Sequence, residues 1–180
     1  MPEPLVVVAL EEEAAHLDID LPILITGVGK VNAALAVTRR LASAPRPSMI
    51  INLGTAGGLR PGLSGTHEIG SVIQHDFDSV SIEALTGRRY GAAIELAAQG
   101  LVLATGDVFV SDPAVRDRLA EDAHLVDMEG YAVAAAAAAF DIPVRMVKHV
   151  SDDADHSAIK SWTSTIAESS RALAAWLATS

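Results

Sequence analysis

The amino-acid sequence predicts an α/β protein, and two observations support that prediction. Short apolar segments rich in β-branched residues recur along the 180-residue chain and alternate with alanine-rich segments of helical character. The apolar segments are continuous, which is typical of strands that helices bury on both faces. Half of the residues are apolar, which is enough for one well-filled core, so we expect a single domain over residues 1–180. Helices on both faces of the sheet would give that domain three layers, α/β/α.

The predicted strands and helices follow one another along the chain. The strand segments are LVVVAL (5–10), PILIT (22–26), MIINL (49–53), IGSVIQHDFDSV (69–80), GLVLATG (100–106), LVDM (125–128) and VRMVKHV (144–150). The helical segments are EEEAAHL, KVNAALAVTRRLA, a segment starting SDPAVRDRLAE, EGYAVAAAAAAF, and a last helix over roughly 158–177. SIEALTGRRYG is expected to form a loop, and AAIELAA fits either a strand or a helix.

Composition excludes several classes of function. The net charge is −10 with histidine neutral, and no Lys/Arg cluster is present, so we expect no nucleic-acid partner. The first residues carry no basic stretch, and their apolar run is too short for a membrane span, which predicts a cytoplasmic protein without a membrane partner. The chain has no cysteine, so any chemistry must come from carboxylates, histidines, lysines or hydroxyls.

Acidic residues follow the first and the last predicted strand, at the strand ends where α/β folds bind their ligands. Glu11–Glu13 follow the first strand, and they fit either a helix N-terminus or a base directed at water. The SDDADH segment (151–156) concentrates like charge, so one of its acids should hold a proton that a leaving group could accept. A solvated capping loop is the alternative. Asp153, Asp155 and His156 lack a second histidine at ligand spacing, so we predict neither metal nor cofactor.

Two glycine-rich segments give different predictions. TGVGK (26–30) allows a tight turn, but Asn32 occupies the last glycine position of a dinucleotide fingerprint and no P-loop spacing is present. A packing turn is therefore favoured over a phosphate cradle. NLGTAGGL (52–59) has a backbone that a flat or sugar-like ligand could approach closely, with the Thr55 hydroxyl beside it. Phe109, one of three phenylalanines, fits either the core or a stacking surface for a planar base.

Six segments in order resemble one known family. They are EEE after the first strand, TGVGKVNAA, INLGTAGGL, GDVFV, VDMEGYA and VSDDAD. In this order they resemble the methylthioadenosine/S-adenosylhomocysteine nucleosidases of the purine nucleoside phosphorylase-like family, over nearly the whole chain. The resemblance implies a mixed, partly barrel-like central sheet and, usually, a homodimer. It also implies hydrolysis of the N-glycosidic bond of a purine nucleoside, in methionine salvage, without a cofactor.

The resemblance assigns three catalytic residues. Asp152 matches the general acid that protonates N7 of the purine, and Ser151 matches the neighbour that orients it. Glu13 matches the residue that positions and deprotonates the attacking water, and Glu129 matches the carboxylate that binds the 2′- and 3′-hydroxyls. These roles suit a reaction in which the base must gain a proton while positive charge develops on the sugar.

The resemblance also assigns contacts along the base and near the water. Thr55 stands near the water and sugar, and Ala56 and Gly57 lie along the base. The ring of Phe109 stacks on the purine, and the backbone of Val110 hydrogen-bonds it.

Two further positions complete the predicted site, and two segments depart from the family pattern. Met128 is assigned to the underside of the ribose, and Lys148 stands where the family usually has an arginine that positions water or hydroxyls. The segments 14–26 and 60–105 are shorter than the family norm. Because the second segment usually builds the partner-subunit wall around the 5′ substituent, specificity for that substituent does not carry over.

Three rival functions are weighed against hydrolysis. A phosphorylase would need cations for phosphate, and the first turn here is LEEE, so hydrolysis is favoured. A futalosine-type nucleosidase shares the acids, and Asp152 does not separate the two. A non-catalytic nucleoside-binding homologue would not require both an acid and a water-activating base, so Glu13, Glu129 and Asp152 argue against it.

Overall fold

The computed structural model describes residues 2–179 and confirms the α/β class. The strands are β1 (Leu5–Val8), β2 (Ile23–Ile25), β3 (Ile50–Gly58), β4 (Thr66–Gln74), β5 (Ile94–Glu95), β6 (Leu101–Thr105), β7 (Leu125–Asp127) and β8 (Val144–Asp152). The helices are α1 (Glu11–Ala14), α2 (Lys30–Ala42), α3 (Ser79–Thr86), α4 (Pro113–Leu119), α5 (Gly130–Ala138) and α6 (Ala158–Ala178). No helix within residues 2–179 is long and apolar enough to cross a membrane.

Five strands of the described chain close into a barrel. The strand β3 pairs with β7 and β8, β4 pairs with β6 and β8, and β6 pairs with β7, which completes a ring. The ring mixes parallel and antiparallel pairs, while β1 and β2 extend the sheet beyond β3 and β5 borders β4. The mixed, partly barrel-like sheet that the family resemblance implies is confirmed.

Helices cover both faces of the open part of the sheet, as strand β1 shows. Leu5 and Val7 pack with residues of α2 and α5, whereas Val6 and Val8 pack with residues of α6. Successive side chains of a strand point to opposite faces, so the continuous apolar run reflects burial from both sides. The predicted three-layer α/β/α arrangement is therefore confirmed.

The alanine-rich segment forms α5 and lies in the core. Most of its residues are buried, and they pack with apolar side chains of the sheet and of α2. Small side chains let the helix lie close to its neighbours at little cost in side-chain entropy. Asp141, with φ +57°, follows the end of α5 and precedes Pro143, so the helix stops close to the end of the predicted helical segment EGYAVAAAAAAF. Asp112 caps α4 by accepting the Ala114 N–H at 2.8 Å.

The prediction of a loop over 81–91 is wrong for the first half of that segment. Helix α3 occupies Ser79–Thr86, with Asp78 accepting the Ser81 N–H at its start and Gly87, at φ +65°, at its end. These are ordinary cap signals, but none of the helix is buried, so no apolar periodicity revealed it. The segment AAIELAA contains the short strand β5.

Strand β3 runs further than the sequence suggests. The sequence predicted a strand over 49–53 only, but β3 continues through Gly58 and pairs with β8. A methyl group added at Gly54 would lie 3.1 Å from Lys148 Nζ, and one added at Gly57 would lie 3.1 Å from Asp152 Oδ1. These two glycines leave room for charged side chains of the neighbouring strand, a role that a glycine-rich segment does not reveal in sequence.

Candidate active site

A cavity of about 320 Å³ lies at the carboxyl ends of β1, β3, β6, β7 and β8. This volume suits a small-molecule ligand. Ten of the predicted site residues line it: Glu13, Thr55, Ala56, Gly57, Phe109, Val110, Met128, Glu129, Ser151 and Asp152. They come from five segments far apart in the chain, which the barrel brings together. Lys148 does not line the cavity.

Glu13 lies against the cavity wall with its carboxylate held by four donors. The Ala9 and Leu10 N–H groups donate to Oε2 at 3.2 and 3.3 Å. The Thr55 N–H and hydroxyl donate to Oε1 at 2.7 and 2.9 Å. Glu13 is buried, whereas Glu11 and Glu12 are exposed. The structure therefore singles out one acid of the three, and its surroundings suit an ionised carboxylate.

Glu129 begins α5 and faces the cavity from the end of β7. The Gly29 N–H, at the start of α2, donates to Oε1 at 2.8 Å. Burial raises the pKa of Glu129 to about 7, and the charges of Asp127 and Glu13 add to this, while Lys148 and the Gly29 hydrogen bond oppose it. The group therefore changes charge near neutral pH unless a ligand donates hydrogen bonds to it.

Asp127 and Lys148 form a buried ion pair at the cavity wall, where Asp127 is one of the lining residues. Lys148 Nζ lies 2.9 Å from Asp127 Oδ2, and both side chains are almost fully buried. The Thr105 hydroxyl and the Gly130 N–H also donate to Asp127, at 2.6 and 2.8 Å. Burial disfavours the charged lysine, but Asp127, Glu129 and Glu13 outweigh it and raise the pKa of Lys148.

The position of Lys148 corrects the expectation of a direct substrate contact. Its ammonium lies under Gly54 beside Glu13, and it faces Asp127 rather than the cavity. A lysine side chain that enters the protein from β8 reaches this buried carboxylate before it reaches the cavity surface. Lys148 thus interacts with the buried acids without lining the cavity itself.

Asp152 ends β8 and is held by its own neighbours. The Ser151 hydroxyl donates to Oδ2 at 2.8 Å, and the Ala154 N–H donates to Oδ1 at 2.9 Å. Burial raises the pKa of Asp152, these two hydrogen bonds oppose the rise, and Asp153 and Asp155 add to it. The sequence argument gave like charge as the reason for a held proton, but burial is the larger cause.

Within residues 2–179, no group of His, Asp and Glu could hold a metal ion.

Phe109 and Val110 lie on the loop after β6, opposite Ala56 and Gly57. The Phe109 side chain is 41% exposed and faces the cavity, so it is not a core residue. The sequence left open whether Phe109 belongs to the core or to a stacking surface. The structure places it on a surface that a planar ring could contact.

Several cavity residues were missed by sequence reasoning. Trp162 and Ile159 of α6 line the cavity, and the Trp162 indole N–H donates to the Thr55 hydroxyl at 3.1 Å. Val28 and Val108 line its mouth and are partly exposed. The spacing of Ile159 and Trp162 places them on one helix face, but nothing local shows that this face meets β3. Only the packing of α6 reveals it.

A mixed sheet that closes into a barrel, with an acid-lined cavity at its strand ends, defines a protein of the nucleoside phosphorylase-like class. A family model described as the phosphorylase superfamily matches residues 21–179, and the chain belongs to that family.

Curated relatives and solved structures agree with this membership. The 5′-methylthioadenosine/S-adenosylhomocysteine nucleosidase of Anoxybacillus flavithermus is 34% identical over 156 residues, covering 72% of this chain and 66% of the relative. The nucleosidase of the same name from Geobacillus thermodenitrificans is 33% identical over 178 residues, covering 83% and 74%. The chain is thus a member of an enzyme family, although it spans only about two thirds to three quarters of these relatives.

Among solved structures, the Streptococcus pneumoniae MTA/SAH nucleosidase in complex with 8-aminoadenine superposes with a TM-score of 0.79 at 25% identity, covering 97% of this chain and 96% of that one. The futalosine hydrolase of Helicobacter pylori superposes with a TM-score of 0.86 at 21% identity, covering 98% and 95%. The second likeness shows the shared fold.

Proposed function

We propose that this chain is a nucleosidase that hydrolyses the N-glycosidic bond of a purine nucleoside of the 5′-methylthioadenosine/S-adenosylhomocysteine type. One observation carries the proposal: Glu13, Glu129 and Asp152, from three distant segments, line a single cavity. The names of the curated relatives support the same reaction. The products are the free base and a ribose derivative.

Asp152 is the proposed general acid. When the bond between C1′ and N9 breaks, its electron pair passes to the base, and a proton at N7 stabilises the leaving group. Burial raises the pKa of Asp152, which favours the proton-bearing form that this role needs. The Ser151 hydroxyl, 2.8 Å from Oδ2, orients the carboxyl group.

Glu13 is the proposed base for water. The water oxygen bonds to C1′, and its proton passes to the carboxylate. Three of the four donors on Glu13 are backbone N–H groups, and the Thr55 hydroxyl is the one that can rotate.

Glu129 is the proposed partner of the ribose hydroxyls, with Met128 beneath the sugar. Hydrogen bonds from the two hydroxyls favour the ionised form of Glu129, whose pKa is about 7 without them. The resulting negative charge stabilises the cationic sugar of the transition state. Lys148 pairs with Asp127, whose carboxylate also accepts the Gly130 N–H and so fixes the turn from which Glu129 projects.

The charges around the cavity favour hydrolysis over phosphorolysis. The cavity lining within residues 2–179 contains no Lys or Arg, and the buried Lys148 is paired with Asp127. Phosphate would meet Glu13 and Glu129 without a facing cation. The apolar side chains of Val28, Val108, Ile159 and Trp162 favour an apolar 5′ substituent over the base-modified or 5′-modified inosine of a futalosine-type enzyme.

We further propose a homodimer. Val31 and Leu35 on α2 are 67% and 58% exposed, and Ile23 and Ile25 on the neighbouring strand β2 are each 38% exposed. This apolar face lies beside Val28 at the cavity mouth, where a second copy would shield both. Sedimentation analysis should give twice the chain mass, and V31D/L35D should give the single-chain mass. A monomeric wild type would refute the dimer.

Product analysis tests the reaction. The protein is incubated with methylthioadenosine, S-adenosylhomocysteine, adenosine, inosine and futalosine, with and without phosphate, and the free base is followed by chromatography. We expect adenine from methylthioadenosine at a rate that phosphate does not change. Phosphate-dependent release would show a phosphorylase, and binding without release would show a nucleoside-binding protein.

A further inference from the structure

A network of charged residues outside the cavity joins three chain segments, two of which also contribute residues to the cavity lining. Lys30 Nζ lies 2.5 Å from Asp76 Oδ1 and 3.9 Å from Asp107 Oδ2, and it donates to Gln74 Oε1 at 3.2 Å. Asp76 follows β4, Asp107 follows β6, and Lys30 is the first residue of α2. None of the three lines the cavity.

Backbone hydrogen bonds lock the same segments together. The Asp107 N–H donates to Asp76 Oδ2 at 2.8 Å, and the Lys30 N–H donates to Asp107 Oδ1 at 2.7 Å. Asp107 therefore accepts from the start of α2 while its own backbone is held by the end of β4. Lys30 and Asp76 are largely shielded, with side chains 18% and 22% exposed.

The network lies next to two proposed binding groups. Asp107 is two residues before Phe109, the proposed purine-stacking ring. Lys30 directly follows Gly29, whose N–H donates to Glu129 Oε1 at 2.8 Å. The same turn at the start of α2 thus holds Glu129 through one N–H and Asp107 through the next. A methyl group added at Gly29, which has φ +95°, would lie 3.1 Å from Asp107 Oδ1, so the two segments are in close contact.

We propose that Lys30, Asp76 and Asp107 form a latch that sets the position of Phe109 relative to Glu129. The three are positioning residues: they hold the base-binding loop and the ribose-binding carboxylate at one spacing, so that the bond between base and sugar lies where Asp152 and Glu13 can act. The inference rests on the proposed nucleosidase function for its effect on turnover. Its effect on purine binding is independent of catalysis.

The charges of Lys30, Asp76 and Asp107 predict how each substitution should affect the latch. K30M removes the ammonium and leaves Asp76 and Asp107 close together without a cation, so the loop should move away from β4. K30R retains a cation that can reach both carboxylates. D76N keeps the shape but removes the charge that Lys30 and the Asp107 N–H both contact. D117N serves as the matched control, because it breaks the exposed ion pair between Asp117 and Arg116 away from the latch.

The test measures kcat and KM for methylthioadenosine, affinity for free adenine by calorimetry, and the melting temperature of each variant. We expect K30M and D76N to lose about tenfold in kcat/KM and to bind adenine several-fold more weakly, with K30R and D117N close to wild type. The double variant K30M/D76N should lose no more than the worse single variant, because both open the same latch.

Three results would overturn the latch: wild-type adenine affinity in K30M and D76N, equal losses in K30R and K30M, or additive losses in the double variant. If K30M does not fold, the comparison of D76N with K30R tests the latch instead. A wild type that binds adenine but cleaves no nucleoside would refute the proposed function alone, and the adenine affinities would still decide the latch.

Discussion

The two ends of the cavity are built in different ways. At the end where we propose that ribose binds, Glu13, Glu129, Asp127 and Lys148 are buried and share a dense set of hydrogen bonds and charges. At the proposed base end, the Asp152 carboxylate accepts hydrogen bonds from Ser151 and Ala154, which are close to it in sequence, and Phe109 is partly exposed on a loop. The comparison predicts that stability and the proposed chemistry depend on the same side chains at the ribose end, whereas at the base end they are separable.

The largest expected effect is on stability, from a change at the ribose end. K148M removes the only cation facing the buried Asp127 in the described structure, and breaking a buried pair costs about 3–5 kcal/mol. We expect a large fall in the free energy of unfolding, measured by urea denaturation, together with loss of activity. K160M, at an exposed lysine, is the control. A stable and active K148M would show that the two ends do not differ in this way.

The next effect is on catalysis alone, at the base end. D152N removes the proposed proton donor while it preserves the shape of the side chain, and loss of a general acid costs roughly 10²–10⁴-fold in rate. We expect kcat to fall by that order while adenine affinity and melting temperature stay near wild type. D153N, at the exposed neighbour, should keep its activity. Unchanged turnover in D152N would remove Asp152 from the acid role.

The sequence predicted the cavity lining better than its supports. Each lining acid follows an apolar strand, and strand ends meet at one edge of a sheet, so local pattern and family resemblance together place Glu13, Glu129 and Asp152. The supports are contacts between distant segments, such as Trp162 with Thr55 and Lys30 with Asp76, and no local pattern encodes them.

The error over Lys148 has the same physical origin. The sequence shows a cation near a strand end, but it does not show that Lys148 pairs with the buried Asp127 of β7, a strand that β3 separates from β8. The sequence predicted that the glycine segment at 54–58 faces a ligand, and Ala56 and Gly57 line the cavity. It did not show that Gly54 and Gly57 also make room for Lys148 and Asp152 inside a strand.

The pH dependence of stability and of activity is an effect of intermediate size, and it comes from Glu129. The pKa of Glu129 is about 7 in the folded protein against an ordinary 4.5, so the folded ligand-free state binds this proton more tightly than the unfolded chain. Its contribution to stability is therefore fully present below pH 4.5 and is lost as pH rises to about 7.

Substrate binding should depend on pH in the opposite sense, because the ribose hydroxyls donate to the ionised carboxylate. We expect kcat/KM to rise with pH up to about 7, and that rising limb should be absent from E129Q. A kcat/KM that is constant from pH 4.5 to 7 would contradict the assignment of the limb to Glu129.

The smallest expected effect comes from Trp162, which connects α6 to the ribose end. Its N–H donates to the Thr55 hydroxyl, and that hydroxyl donates to Glu13, so the indole fixes the direction of the Thr55 proton. W162F keeps an aromatic wall but removes the donor, and a lost neutral hydrogen bond of about 1 kcal/mol corresponds to roughly fivefold in kcat. T55V should lose more, because Glu13 then loses a donor directly, while T55S keeps the hydroxyl and should stay near wild type. In a T55V background, W162F should cost nothing further, since its acceptor is already gone. A fivefold loss that persists in that background would mean that Trp162 acts through packing against the substrate.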